Sequence, residues 1–156
     1  MASHPEPETS TISSVPGTGS VPTSSSHIRI ARPSKDFASI EHFFVAGLGL
    51  KVLWRSGPAH EVEGGHQLLM LGWSDAAWHL ELVLCTDDDI LPSPTEEDLL
   101  VIYMDGPIDP LVVERLINAG GRRVQHSNEY WEKWGVTIQD PDGYLLVLCQ
   151  RGWRNV

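Results

Sequence analysis

The sequence predicts an α+β fold of two tandem βαβββ modules, and three observations carry that prediction. The first is segment 135–148, GVTIQDPDGYLLVL. Val136 and Ile138 alternate with Thr137 and Gln139, the period-2 pattern of a half-buried strand. Asp140-Pro141-Asp142-Gly143 is turn chemistry: proline presets φ, the aspartates can bond nearby backbone, and glycine accepts a positive φ. Residues 145–148 supply the returning strand. The second observation is order, because a strand, an apolar helical stretch, a glycine stop and further strands occur twice. The third is offset: the helix-stopping glycines and the strands after them recur about seventy residues apart, an internal repeat of low identity.

The elements follow in turn. Residues 27–31 (HIRIA) alternate and predict a strand ended by Arg32-Pro33. Ser34 is the expected helix N-cap, ahead of Phe37, Ile40, Phe43 and Phe44 at helical spacing. Gly47 and Gly49 stop that helix, and a strand resumes over 50–54. A loop with His60, Glu61, Gly64 and Gly65 leads to a strand at 67–71. Residues 77–85 form a strongly alternating strand, with Trp78, Leu80 and Leu82 on one face and His79 and Glu81 on the other. The acidic, proline-bearing stretch 86–98 is the expected linker. The second module then has a strand at 99–104 and a helix at 110–119, whose apolar side is expected to carry Leu111, Val112, Leu116 and Ile117. Gly120-Gly121 stop it, a strand follows at 122–125, and the terminal hairpin completes the unit.

Composition bounds the function. A chain of 156 residues with 41% hydrophobic content is one domain, or two modules sharing a core. A formal charge of −10 argues against binding the nucleic-acid backbone, which needs a basic face, and disfavours anionic membranes. The apolar runs are too short to span a bilayer. Cys85 and Cys149 form no CxxC pair, so reduced thiols and a cytoplasmic setting are expected. Residues 1–26, rich in Ser, Thr, Pro and Gly, are expected to form a disordered tail with no signal- or transit-peptide character.

The terminal hairpin, together with HIRIARP, AGLGLKV and HLELVL, resembles the vicinal oxygen chelate superfamily, the group of glyoxalases, bleomycin resistance proteins and extradiol dioxygenases. The likeness covers residues 27–152, with modules at 27–85 and 99–152, and SNEYWEKWGVTIQDPDG is most similar to small single-domain glyoxalase-like members. It implies paired, ferredoxin-like half-barrels around a cup-shaped cleft, and a homodimer as a plausible assembly. It also implies a metal question. Metal-using members place four ligands in the cleft, and the corresponding positions here are His27, Glu81, Leu99 and Val147. His27 and Glu81 suit Zn, Fe, Mn or Ni, whereas Leu99 and Val147 bind none. Catalytic sites usually supply three protein ligands. His79 shares a strand face with Glu81 and is either a third donor or a hydrogen-bonded wall residue; residues two apart on a strand are about 7 Å apart along it, against joint ligation.

Within the cup that the resemblance implies, Glu81 is the leading candidate for a functional residue, as metal ligand or general base; its alternative is a solvent-facing strand glutamate. Arg29 shares a face with His27 and is either an oxyanion clamp or a rim arginine paired with Glu81. Leu99, Val147 and Tyr103 would line an apolar wall. The NEYWEKW loop holds Tyr130, Trp131 and Trp134, which either cap the cleft over a planar ligand or plug the gap between modules. The expected function is isomerase- or lyase-type proton transfer on a small organic molecule, with Glu81, His27 and Arg29 as catalytic groups. The alternative is a non-catalytic binder of an antibiotic or metabolite, of the bleomycin-resistance type. A third reading is an interaction protein with no ligand. The apolar residues at Leu99 and Val147 argue against the glutathione-dependent glyoxalase reaction.

Overall fold

A computed structural model of the protein describes residues 19–57, 66–84 and 90–156. The expected sites at His60, Glu61, Gly64, Gly65 and Cys85 lie outside those residues, as does 1–18 of the tail. The order of elements is β1 (Ile28–Pro33), α1 (Phe37–His42, continued as a π-helical turn over Phe43–Leu48), β2 (Lys51–Arg55), β3 (Gln67–Gly72) and β4 (Trp78–Leu84), then β5 (Leu99–Tyr103), α2 (Pro110–Asn118), β6 (Arg122–Val124), α3 (Glu129–Trp134), β7 (Gly135–Gln139) and β8 (Leu145–Cys149). Each module forms its own four-stranded sheet, ordered β1-β4-β3-β2 and β5-β8-β7-β6. The two are copies in topology: β1 runs parallel to β4 and β5 parallel to β8, with the remaining pairs antiparallel.

Local chemistry sets the boundaries. The N-cap of α1 is Asp36, whose carboxylate accepts from Ala38 N, and not the expected Ser34. Ser34 is buried because its N–H extends the β1 ladder to Val83 O. Asp109 caps α2 and Pro110 occupies its first turn, where no backbone donor is lost. Helix α2 turns Val112, Leu116 and Ala119 inward, while Leu111 and Ile117 face solvent, contrary to the sequence expectation for those two. The NEYWEKW segment is the helix α3, not a loop, with Asn128 as its N-cap.

The helices join the modules. The π-helical turn lets adjacent Phe43 and Phe44 both enter the core, beside Ile40, Leu80, Leu82, Leu116, Ile138, Leu146 and Leu148. Gly47 gives α2 its close approach, since a Cβ there would lie 3.1 Å from Leu116 Cδ2 and 3.2 Å from Ala119 Cβ. Gly121 is tighter still: a Cβ would meet Ile138, the Leu116 carbonyl and the Phe43 ring, each at 2.7 Å. Phe43 of the first module thus packs on backbone of the second, and any side chain at Gly121 would force the two apart.

The Asp140–Gly143 turn forms a second junction. Asp140 Oδ1 accepts from the N–H groups of Asp142 and Tyr144, and Asp142 Oδ1 accepts from Lys35 N at the end of β1. The Arg32 guanidinium lies 4.6 Å from the Tyr144 ring centroid. Burial, then the neighbouring Asp142 charge, pushes the Asp140 carboxyl up to about 6. Its folded-state pKa is therefore raised above the unfolded value, so the stability it confers is complete below about pH 4 and is lost as pH rises through about 6. We expect Asp140→Asn to gain stability relative to the parent by up to about 3 kcal/mol between pH 4 and pH 7. Denaturant unfolding across that range measures it, and a pH-independent difference would refute the buried-carboxyl account.

Candidate functional site

The sheet faces turned away from the helices differ in chemistry. In the first module that face carries His27 and Arg29 from the β1 segment, and His79 and Glu81 from β4, because Leu80 and Leu82 take the helix side. In the second module the equivalent central strand presents Leu145, Val147 and Cys149, all buried. One face is polar and ionisable, the other apolar.

The polar cluster is one connected network. Arg29 Nε donates to His79 Nε2 at 3.2 Å, which requires a lone pair on that nitrogen. The proton of His79 then sits on Nδ1 and is donated to His27 Nε2 at 2.7 Å. Burial, then the neighbouring Arg29 charge, holds the His79 pKa below its ordinary value, in keeping with this neutral tautomer. Arg29 Nη1 also lies 2.8 Å from Glu81 Oε2. That contact is off the line of a good hydrogen bond, so Oε2 is buried in an ion pair without an aligned donor. The Arg29 side chain is 51% exposed and that of Glu81 only 10%. A pair with one partner so open to water is worth about 0–1 kcal/mol, so stability alone gives weak reason for it.

These donors do not fit a metal. His27 Nε2 is already engaged by His79, and a guanidinium, which cannot be a ligand, bridges His79 and Glu81. Among the described residues no three His, Cys, Asp or Glu side chains form a metal-holding group. Leu99 and Val147 lie on the other sheet, half-buried and fully buried respectively.

The aromatic residues form a second cluster on the second module. Helix α3 packs on β7 and β8 of its own module, and the Trp131 carbonyl would stand 3.2 Å from a Cβ at Gly135. Tyr130 and Trp131 meet edge to face at 4.9 Å. Trp134 lies between Lys133 and Arg151, whose charged groups sit 4.9 and 4.6 Å from its centroid. Tyr103 faces Trp153 at 6.0 Å, and burial, then nearby Tyr130 and Cys149, raises its phenol pKa. The Thr137 hydroxyl on this face is buried without a partner. Among the described residues, no hydrogen bond, ion pair or ring contact links the two clusters. His126, not singled out by sequence, is a buried structural histidine: Nδ1 accepts from Asn128 N, leaving Nε2 to donate to the Glu96 carbonyl. Sequence reasoning also missed Arg151, which carries no motif and is marked only by its place after the last strand.

Residues 28–83 match the YycE-like N-terminal domain and residues 97–150 the YycE-like C-terminal domain. The chain is 34% identical over 122 residues to the uncharacterised protein YycE of Bacillus subtilis strain 168, covering 78% of this chain and 85% of that one. It belongs to the YycE-like family. The crystal structure of a B. subtilis YycE protein of unknown function, for which a glyoxalase or fosfomycin resistance protein has been suggested, is similar with a TM-score of 0.68 at 29% identity, over 85% of this chain and 93% of that one. The trypanothione-dependent glyoxalase I of Leishmania major shares the fold at a TM-score of 0.59 and 18% identity, over 79% and 84% of the two chains. TnmS3, an antibiotic-binding protein of Streptomyces sp. CB03234, does so at 0.52 and 22%, over 80% and 94%. The YycE-like fold is thus that of the vicinal oxygen chelate superfamily, with two tandem α+β modules as the repeat predicted.

Protein loaded with Zn²⁺, Fe²⁺, Mn²⁺ or Ni²⁺ and then desalted is expected to retain no stoichiometric ion. One ion per chain, lost in both His27→Ala and Glu81→Ala, would show that the network rearranges into a metal site.

Proposed function

We propose that the polar face of the first module binds a small organic molecule and moves a proton on it, in isomerase- or lyase-type chemistry. The observation that carries this reading is the Arg29 guanidinium, held between Glu81 and His79 yet half open to solvent. It is a permanent cation whose Nη2 meets the weakly accepting sulfur of Met70 at 3.9 Å, a partner that the oxygen of a carbonyl substrate would readily replace. A substrate oxygen that engages Arg29 would draw it from Glu81. Glu81 then takes the proton from the carbon next to the carbonyl; the electron pair of that C–H bond forms a carbon–carbon double bond and the carbonyl π pair moves onto the oxygen, giving an enolate. Arg29, with His27 beside it, stabilises that charge. Return of the proton to a different carbon completes an isomerisation; expulsion of a neighbouring leaving group completes an elimination.

A binding protein without turnover is the second reading. It is favoured by the half-exposed Tyr130–Trp131 pair beside an apolar sheet face, and by the likeness in fold to an antibiotic-binding protein. Glu81→Gln separates the two. It should leave ligand affinity nearly intact and lower turnover by about 10²–10⁴-fold. Turnover that survives the change would sink the proton-transfer mechanism, and a ligand recovered unaltered from the parent protein would favour the binder.

The working unit under this proposal is a cytoplasmic homodimer. Among the described residues strand β1 pairs with β4 alone and so forms a sheet edge, and it exposes Ile28 at 59% and Ile30 at 40%. Strand β5 is the matching edge of the second sheet. A second copy laid along β1 would cover these side chains and bring an apolar β5 face opposite Arg29 and Glu81. Light scattering should give twice the chain mass for the parent and the single mass for Ile30→Asp; a monomeric parent would refute the pairing.

A further inference from the structure

The C-terminal ends of β5 and β8 enclose a groove that the proton-transfer site does not use. It measures about 440 Å³ and is lined by Tyr103, Asp105, Arg151, Gly152, Trp153 and Arg154. We propose that it is a separate binding site for a planar aromatic anion, an arene bearing a carboxylate or a phosphate.

The argument for an anion begins with charge. The chain carries a formal −10, and its acids outnumber its 11 Lys and Arg by nearly two to one. Even so, among the described residues neither Arg151 nor Arg154 has a carboxylate partner, although ion pairs form at Arg29 and Arg55. Arg151 is also positioned: its guanidinium stacks over Trp134 at 4.6 Å, which occupies the face of the fork and leaves its N–H edge free. Such an edge matches the paired oxygens of a carboxylate or phosphate.

The argument for an arene rests on Trp153. Its side chain is 69% exposed, and its ring is tilted by 32° from Tyr103 at a centroid distance of 6.0 Å. That spacing is too short to admit a third ring, since stacked planes need about 3.5 Å on each side. A ligand ring therefore lies on the outward face of Trp153, with its acid toward the arginines. The indole N–H is turned to Asn155 at 3.4 Å, leaving the ring face as the available surface.

The groove is held by backbone rather than by loose side chains. Met104 N donates to Cys149 O, Gly106 N to Gln150 O and Asp105 N to Arg151 O, extending the β5–β8 pairing past the strands. Asp105 sits at φ 51°, and its carboxylate lies against Gly152, where a Cβ would come within 2.6 Å of Oδ1. Asp105 is thus folded toward the backbone and makes no ion pair with Arg151 or Arg154.

Benzoate and phenyl phosphate should each shift the Trp153 indole N–H resonance of the full chain in a saturable titration, and their relative affinity identifies the acid preferred. Benzamide and inorganic phosphate, which lack the charge and the ring respectively, should bind at least about tenfold more weakly. Arg151→Gln, read from the same resonance, and Trp153→Ala, read by isothermal titration calorimetry alongside the parent because the change removes that resonance, should each weaken benzoate and phenyl phosphate by about tenfold; both positions are exposed. Glu81→Gln and Arg29→Gln should leave these titrations unchanged, so this site and the proton-transfer site can fail independently. Absence of a saturable shift up to about 10 mM would overturn the proposal, as would undiminished binding in Arg151→Gln or equal affinity for inorganic phosphate.

Discussion

The close approach of the two helices is the constraint on which the rest of the structure depends. Gly47 admits Leu116 and Ala119, and Gly121 admits the Phe43 ring, so the modules share one core instead of holding two small ones. A half-chain of this size buries too little apolar surface to be comfortably stable alone. Fusing the cores on the helix side leaves the opposite sheet faces free of that duty. The Asp142–Lys35 hydrogen bond and the Arg32–Tyr144 contact then set the relative position of the sheets at a second point. The hairpin turn is thus a clamp between modules as well as a reversal of chain direction.

Freed from the core, the two faces have diverged within one topology. Equivalent central strands carry His79 and Glu81 in one module and Leu145, Val147 and Cys149 in the other. In the first, the arginine acts as a fixed cation: Arg29 engages the imidazole of His79 and the carboxylate of Glu81 together. That arrangement sets the His79 tautomer and leaves Glu81 Oε2 paired by charge but without an aligned hydrogen-bond donor. In the second, α3 covers part of the sheet and its aromatic side chains lead to the Arg151–Trp153 end of the strands.

Much of this was legible before any coordinates. Strand alternation at 78–84 assigned His79 and Glu81 to the face opposite Leu80 and Leu82, because side chains alternate strictly in a pleated strand. The repeat at about seventy residues fixed the module order. Local pattern misplaces Ser34, Leu111 and Ile117, because the extended β1 ladder buries Ser34 and the seating of Leu116 and Ala119 against Gly47 leaves Leu111 and Ile117 outward. The NEYWEKW segment reads as a loop in the sequence because six helical residues give too few periods to show a repeat.

By itself, then, the sequence determined the fold class, the repeat, the polar face of β4 and the apolar residues at 99 and 147. Those are properties of period and residue type, which neighbours along the chain reveal. Tertiary structure alone decided that Arg29 lies between His79 and Glu81, that the aromatic helix belongs to one module, and that Arg151 and Trp153 meet Tyr103 across a groove. Each of these joins residues tens of positions apart in sequence, and only the register of β1 on β4, and of β5 on β8, sets which side chains meet.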